Sequence, residues 1–175
     1  MTINWQYFPR HSTAPQFLID VVNIFEQNAE LIQTPKNQLT SNQVLEAIAA
    51  NLEEIGFEVE QGKKESQKIS RPVLFGKNGI VEKSFEVDAW HPVTKIILEV
   101  EAGRGVANHQ FLKDFFEACV IQDSKYLIIA VCNGYQPPSF KNPVSDFNTV
   151  TTFMETLFAS TRIELPLLGV MIVGY

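Results

Sequence analysis

Three carboxylates stand at the ends of two short apolar runs. Asp88 lies in "SFEVDAW", and Glu99 and Glu101 lie in "KIILEVEAG". Strand interiors normally exclude charge, so acids placed there need a reason. In an extended strand residues i and i+2 share a face, which points Glu99 and Glu101 the same way, and likewise Glu86 and Asp88. If the two runs pair, Asp88 lies across from Glu99 or Glu101. Carboxylates that close repel one another unless a cation sits between them. Oxygen donors alone, without His or Cys, suit a hard ion such as Mg2+ (or Mn2+). Such an ion serves phosphoryl chemistry: it holds a phosphate, activates a water and stabilises a leaving oxygen. The plainer alternative is a hairpin whose acids face solvent. Leu98, Val100 and Ala102 alternate with Glu99 and Glu101, so one face is expected to be buried and the other reserved for charge.

The elements that would position these acids can be read from periodicity. Phe17, Val21, Ile24, Phe25 and Leu31 recur near helical spacing after Ser12 or Thr13 as a cap and Pro15 in the first turn. Val44, Leu45, Ile48, Leu52 and Ile55 predict a second helix, capped by Ser41 and closed by Gly56. Strands follow in "FEVEQ", "RPVLFG", "IVEKSFEVDAW" and "TKIILEVEA", the last two forming an antiparallel hairpin. "ANHQFLKDFFEACVIQ" is a helix with Phe111, Phe115, Ala118 and Cys119 on one face. "KYLIIAVCN" has the continuous apolar run of a strand buried on both sides. A proline-broken loop, a helix from Ser145 or Asp146 and a closing strand in "LPLLGVMIVGY" complete the chain. The order implies an α/β fold, a mixed β-sheet flanked by α-helices.

Composition bounds the possibilities. A chain of 175 residues, 45% hydrophobic and 19% charged, is expected to form one domain with a sizeable core. No apolar run is long enough for a membrane-spanning helix, and "MTINWQYFPRHS" lacks the pattern of a secretory signal. Cys119 and Cys132 are expected as buried thiols in a reducing, cytoplasmic setting. His11, His91 and His109 are too scattered to suggest zinc. A net charge of −6 argues against a protein that coats nucleic acid, so DNA as a partner requires a local basic patch. Lys63, Lys64 and Lys68 supply one ahead of the hairpin, although they would serve equally as a solubilising loop. Arg104, between Gly103 and Gly105, either pairs with Glu101 or meets a phosphate at the helix start.

The acid in one strand, the short hairpin, and the apolar run ending in acid-x-Glu resemble the PD-(D/E)xK nucleases of the restriction-endonuclease-like fold. The resemblance spans about Ser41 to Val131, including the preceding helix "LEAIAANLEEIGFEVE" and the following helix and strand. It implies a single restriction-endonuclease-like domain over 1–175 with a helical N-terminal extension over 1–40. It implies hydrolysis of DNA phosphodiester bonds, with Asp88 and Glu99 as metal ligands and Glu46 completing the site. Glu101 falls where most members carry lysine, as in some type II restriction enzymes, and Val87 stands where the motif's name has proline. In some members a catalytic residue has moved to the next helix, where Lys113, His109 and Gln110 could lean over the same sheet end. Lys95 lies roughly 13 Å from Glu99 along an extended strand, too far to substitute. The family often dimerises to cut two strands, so the resemblance admits a homodimer without requiring one; Phe147, Phe153 and Phe158 are expected in the core, with a dimer interface as their alternative use. The missing lysine and negative charge also fit a catalytically inactive member acting as an interaction module.

Overall fold

A computed structural model describes residues 3–33, 39–102, 106, 109–134, 145–160 and 162–175. Its centre is a six-stranded mixed sheet. The strands are β1 (Asn4–Phe8), β2 (Glu58–Val59), β5 (Ala89–His91), β6 (Ile96–Glu101), β7 (Tyr126–Val131) and β8 (Gly169–Gly174). Their spatial order is β1-β8-β7-β6-β5-β2. The middle of the sheet, β6-β7-β8, is parallel, and β1, β5 and β2 pair antiparallel to their neighbours. A separate antiparallel hairpin consists of β3 (Ile69–Phe75) and β4 (Val81–Val87).

Helices cover both faces, as their apolar stripes require. On one side α1 (Gln16–Gln27), α2 (Ala29–Ile32) and α3 (Ser41–Glu54) bury Val21, Phe25, Val44 and Ile48 against Leu98, Val100, Ile128 and Met171. On the other, α4 (Gln110–Val120) and α5 (Asp146–Ala159) bury Phe111, Ala118, Val150 and Met154 against Ile97, Ile129 and Ile172. The two sets of sheet residues alternate along the strands, as period two dictates. Thr40 caps α3 through a reciprocal bond pair with Gln43, one residue before the expected Ser41. Gly56 closes α3 in the left-handed region at φ 99°, with His91 packed against it.

Two expectations change. The segment expected as a helical extension also contributes a strand: β1 pairs with β8 from Asn4↔Gly174 to Phe8↔Val170 and buries Tyr7 and Phe8 on opposite faces. The strand expected over Ile80–Trp90 is divided at Asp88. Before it, β4 pairs with β3; after it, only Ala89–His91 pair with β6. The cause is tertiary: Asp88 bonds sideways in both directions. Its carbonyl accepts the Glu60 N–H at 2.8 Å, and its carboxylate accepts the Val100 N–H at 2.8 Å.

The rings of Phe147, Phe153 and Phe158 pack against the α4–α5 side of the core, with Phe8–Phe158 stacked and Phe111–Phe153 edge-on. No disulfide joins Cys119 and Cys132; Cys132 is buried as expected, whereas Cys119 is only half-buried. Among the described residues no helix is long and apolar enough to cross a membrane.

Candidate active site

The acids gather at the carboxyl end of the parallel strands, where crevices form in open α/β sheets. Glu99 and Glu101 end β6 on the face turned towards α4, the face that also carries Ile97. Continuing the β5–β6 register from Ala89↔Leu98 by one residue sets Asp88 opposite Glu99. The face is not the solvated one of the plainer alternative. Because β6 is central and α4 covers it, Glu99 is only 9% exposed. Burial, then the charges of Asp88, Asp114 and Glu117, push its carboxyl well above the usual range.

Asp88 is half-buried. Desolvation raises its carboxyl to about 6, opposed by the Val100 N–H and reinforced by the charges of Glu60 and Glu101. Glu101 is raised chiefly by burial, against a contact with Asp114 and the charge of Lys113. Its backbone carbonyl accepts the Tyr175 hydroxyl at 3.0 Å, and the next N–H, of Ala102, reaches Ser41 Oγ at 3.1 Å. The end of β6 is therefore fixed from both sides.

α4 adds acids that the sequence reading missed. Asp114 and Glu117 are buried on its inner face, and Asp146 is buried in the first turn of α5. Burial pushes Asp114 up to about 8, with the charge of Glu101 next in weight, and pushes Asp146 up to about 6. The signal for Asp114 was present: it lies three residues after Phe111 and four before Ala118, on the stripe identified as apolar. For Asp146 the cap assignment obscured it; Ser145 makes the capping bond, to the Asn148 N–H.

Of the other expected residues, Lys113 reaches the group. Its ammonium lies 3.5 Å from Glu117 and is raised by the charges of Glu117, Asp114 and Glu99 despite desolvation acting the other way. His109 is exposed at the start of α4, with its backbone left-handed at φ 54°. Glu46 lies on the exposed side of α3, turned outwards by buried Val44, Leu45 and Ile48, and does not join the carboxyl group. Lys63 and Lys64 are exposed on the β2–β3 connection. Lys68 instead bridges Glu60 at 2.9 Å and Glu86 at 3.4 Å, so it serves the acids rather than a basic patch. Arg104 lies outside the described residues. Trp90 is buried beneath the Arg71 guanidinium, a packing residue rather than a stacking platform.

No family model matches the chain, and no curated protein matches it either. The chemistry of the site therefore rests on its geometry.

Among the described residues no set of three or more His, Cys, Asp or Glu side chains is arranged to hold a metal ion. The donor chemistry nonetheless fits a hard ion. The group is carboxylate throughout, and Asp114 Oδ2 is buried without a hydrogen-bond partner. Mg2+ commonly takes one or two carboxylates and completes its shell with water and phosphate oxygens.

Proposed function

We propose that this protein is a Mg2+- or Mn2+-dependent nuclease that hydrolyses DNA phosphodiester bonds on a restriction-endonuclease-like scaffold. The observation that carries the proposal is the gathering of Asp88, Glu99 and Glu101 on one face, close enough for Asp88 to raise Glu99 and for Glu101 to raise Asp88. Like charges held together out of water are costly, and a divalent ion is the ligand that relieves the cost.

Asp88 and Glu99 would hold the ion, Asp88 fixed by the Val100 N–H and Glu99 by the cover of α4. Such an ion supplies a polarised phosphoryl oxygen and a water acidic enough to react near neutrality. Glu101, with its proton affinity raised by burial, would act as the proton acceptor for an attacking water. Lys113 supplies the positive charge that lysine brings from the strand in other members of the family. His109 and Arg104, before α4, and Lys63 and Lys64, on the β2–β3 connection, are the groups we assign to backbone phosphates. We place the protein in the cytoplasm. A homodimer is the assembly in which two strands would be cut; Phe147, Phe153 and Phe158 are partly buried against the core and are assigned to packing.

One observation favours a second reading, a catalytically inactive member that serves as an interaction module. The tip of the β3–β4 hairpin exposes Leu74, Phe75, Ile80 and Val81, while the Lys113 ammonium is paired with Glu117. Plasmid cleavage separates the two. The nuclease reading expects Mn2+-dependent nicking by the wild type that disappears in Asp88→Asn and Glu99→Gln. No nicking at any Mn2+ or Mg2+ concentration, by folded protein, overturns it in favour of the interaction module.

A further inference from the structure

The β3–β4 hairpin and the connection leading into it differ in charge from the rest of the molecule. Between Gln61 and Phe85 the chain carries six cations, Lys63, Lys64, Lys68, Arg71, Lys77 and Lys83, against two acids, Glu65 and Glu82. That balance is +4 in a protein whose net charge is −6, which leaves −10 on the remainder. Lys68 and Arg71, at the base, are held by Glu60 and by the Trp90 ring. Lys77 and Lys83, on the outer half, are exposed.

The same outer half is apolar. Leu74, Phe75, Ile80 and Val81 are each about half exposed or more, and they flank the turn Lys77–Gly79, with Phe75 opposite Val81. Nearer the base, Ile69, Val73, Phe85 and Val87 pack on the core, so the apolar side chains of the ribbon continue past their support. The four residues from Phe85 to Val81 carry the tip roughly 13 Å along the strand, beyond the ~8 Å over which charge acts at physiological salt. The acids of the body are therefore screened there, and the local charges are Lys77, Lys83 and Glu82. The turn is closed on itself: the Gly76 N–H donates to the Ile80 carbonyl at 2.8 Å and the Gly79 N–H to the Gly76 carbonyl at 3.1 Å. Backbone groups satisfied internally are what entry into an apolar medium demands.

We propose that this tip docks on an anionic lipid bilayer, with Leu74, Phe75, Ile80 and Val81 entering the acyl boundary and Lys77 and Lys83 meeting the headgroups. Shape and charge select this occupant. The tip is convex, and a bilayer receives a convex apolar surface without a matching pocket. A second copy fits worse. Two tips would bring their lysines together, and each would bury roughly a few hundred Å2, where a partner in a stable pair gives about 800 Å2. Stacking on nucleic-acid bases uses aromatic planes, and three of these four side chains are aliphatic. The docking is independent of the carboxylates and holds under either reading of them.

The test is co-sedimentation of the full chain with vesicles of phosphatidylcholine, alone or mixed equally with phosphatidylserine. The wild type is expected to partition onto the mixed vesicles. Phe75→Ser combined with Ile80→Ser lowers that partition by about tenfold or more. Lys77→Gln and Lys83→Gln lower it by about fivefold each, on the mixed vesicles only. A wild type that stays in the supernatant overturns the proposal, as does vesicle binding that either pair of changes leaves intact. So does a dimer in sedimentation velocity that the serine pair dissolves, which would give the tip to a second copy. Retention on a short DNA duplex that the serine pair abolishes, without vesicle binding, overturns it in favour of nucleic acid. Far-UV circular dichroism establishes that each variant is folded. Should the serine pair not fold, Phe75→Trp decides: emission that moves to the blue on mixed vesicles supports insertion of the tip, and unchanged emission refutes it.

Discussion

Removing the charge at Asp114 is expected to stabilise the metal-free protein. The carboxyl, ordinarily at 3.8, is pushed up to about 8, first by burial and then by the charge of Glu101. At pH 7 the unfolded chain is ionised at this position and the folded one is not. Carrying that proton from 3.8 to neutrality corresponds to about 4 kcal/mol of lost stability. Glu101 shares the strain, so we assign about half to Asp114, roughly 2 kcal/mol, which Asp114→Asn recovers without changing shape. For a chain of this length that is a rise of about 4–8 °C in Tm. The sign follows from the direction of the shift. A carboxyl raised on folding leaves stability intact below about pH 4 and withdraws it progressively up to about pH 8. The gap between variant and wild type should therefore be small near the lower limit and full at the upper. Thermal unfolding followed by circular dichroism in EDTA, at several pH values across that window, measures it. A variant that melts below the wild type at the upper end, or a gap that does not widen with pH, would refute the account of Asp114 as an uncompensated buried acid.

Three further outcomes are expected. Trp90→Ala removes a fully buried ring and the surface on which Arg71 stacks; it should cost about 3–5 kcal/mol, read as a fall in the urea midpoint. Lys68→Gln strips the ammonium from buried Glu60, so it should destabilise by about 1–3 kcal/mol, and it should raise the proton affinity of Asp88, which Lys68 now lowers; urea unfolding and carboxyl-resolved NMR titration check the two parts. Lys113→Ala should lower the cleavage rate by about a hundredfold, and because it strips the ammonium from buried Glu117 it should also cost about 1–3 kcal/mol of stability; unchanged cleavage by the folded variant would remove Lys113 from the chemistry.

The layered α/β arrangement was legible because its signals are strong and local. Val44, Leu45, Ile48 and Leu52 repeat at helical period, and "YLIIAV" is apolar throughout because β7 is covered on both faces. β1 was not legible. "NWQYF" is an edge strand with half-exposed Trp5 and polar Asn4 and Gln6, and what makes it a strand is pairing with β8, some 160 residues away in sequence. The division at Asp88 was hidden for a similar reason: "VEKSFEVDAW" is uniformly strand-like, and the change of partner depends on Glu60 and Val100. At the site, period two brought Glu99 and Glu101 to one face, and the hairpin brought Asp88 to them. Which side α4 covers is a tertiary fact, so the burial of Glu99 and the arrival of Asp114 could not be seen from β6 alone.

Asp88 occupies the junction where the β3–β4 hairpin leaves the main sheet. Val87 still pairs with Ile69 in the hairpin, and Ala89 already pairs with Leu98 in the sheet. One peptide unit on either side thus separates a projecting arm from a rigid slab. The arm's base is also seated on the slab, through Ile69, Val73, Phe85 and Val87 against the core and Arg71 over Trp90, so only its outer half, with the greasy tip, stands clear. Asp88 thus marks the point where a supported ribbon changes sheets.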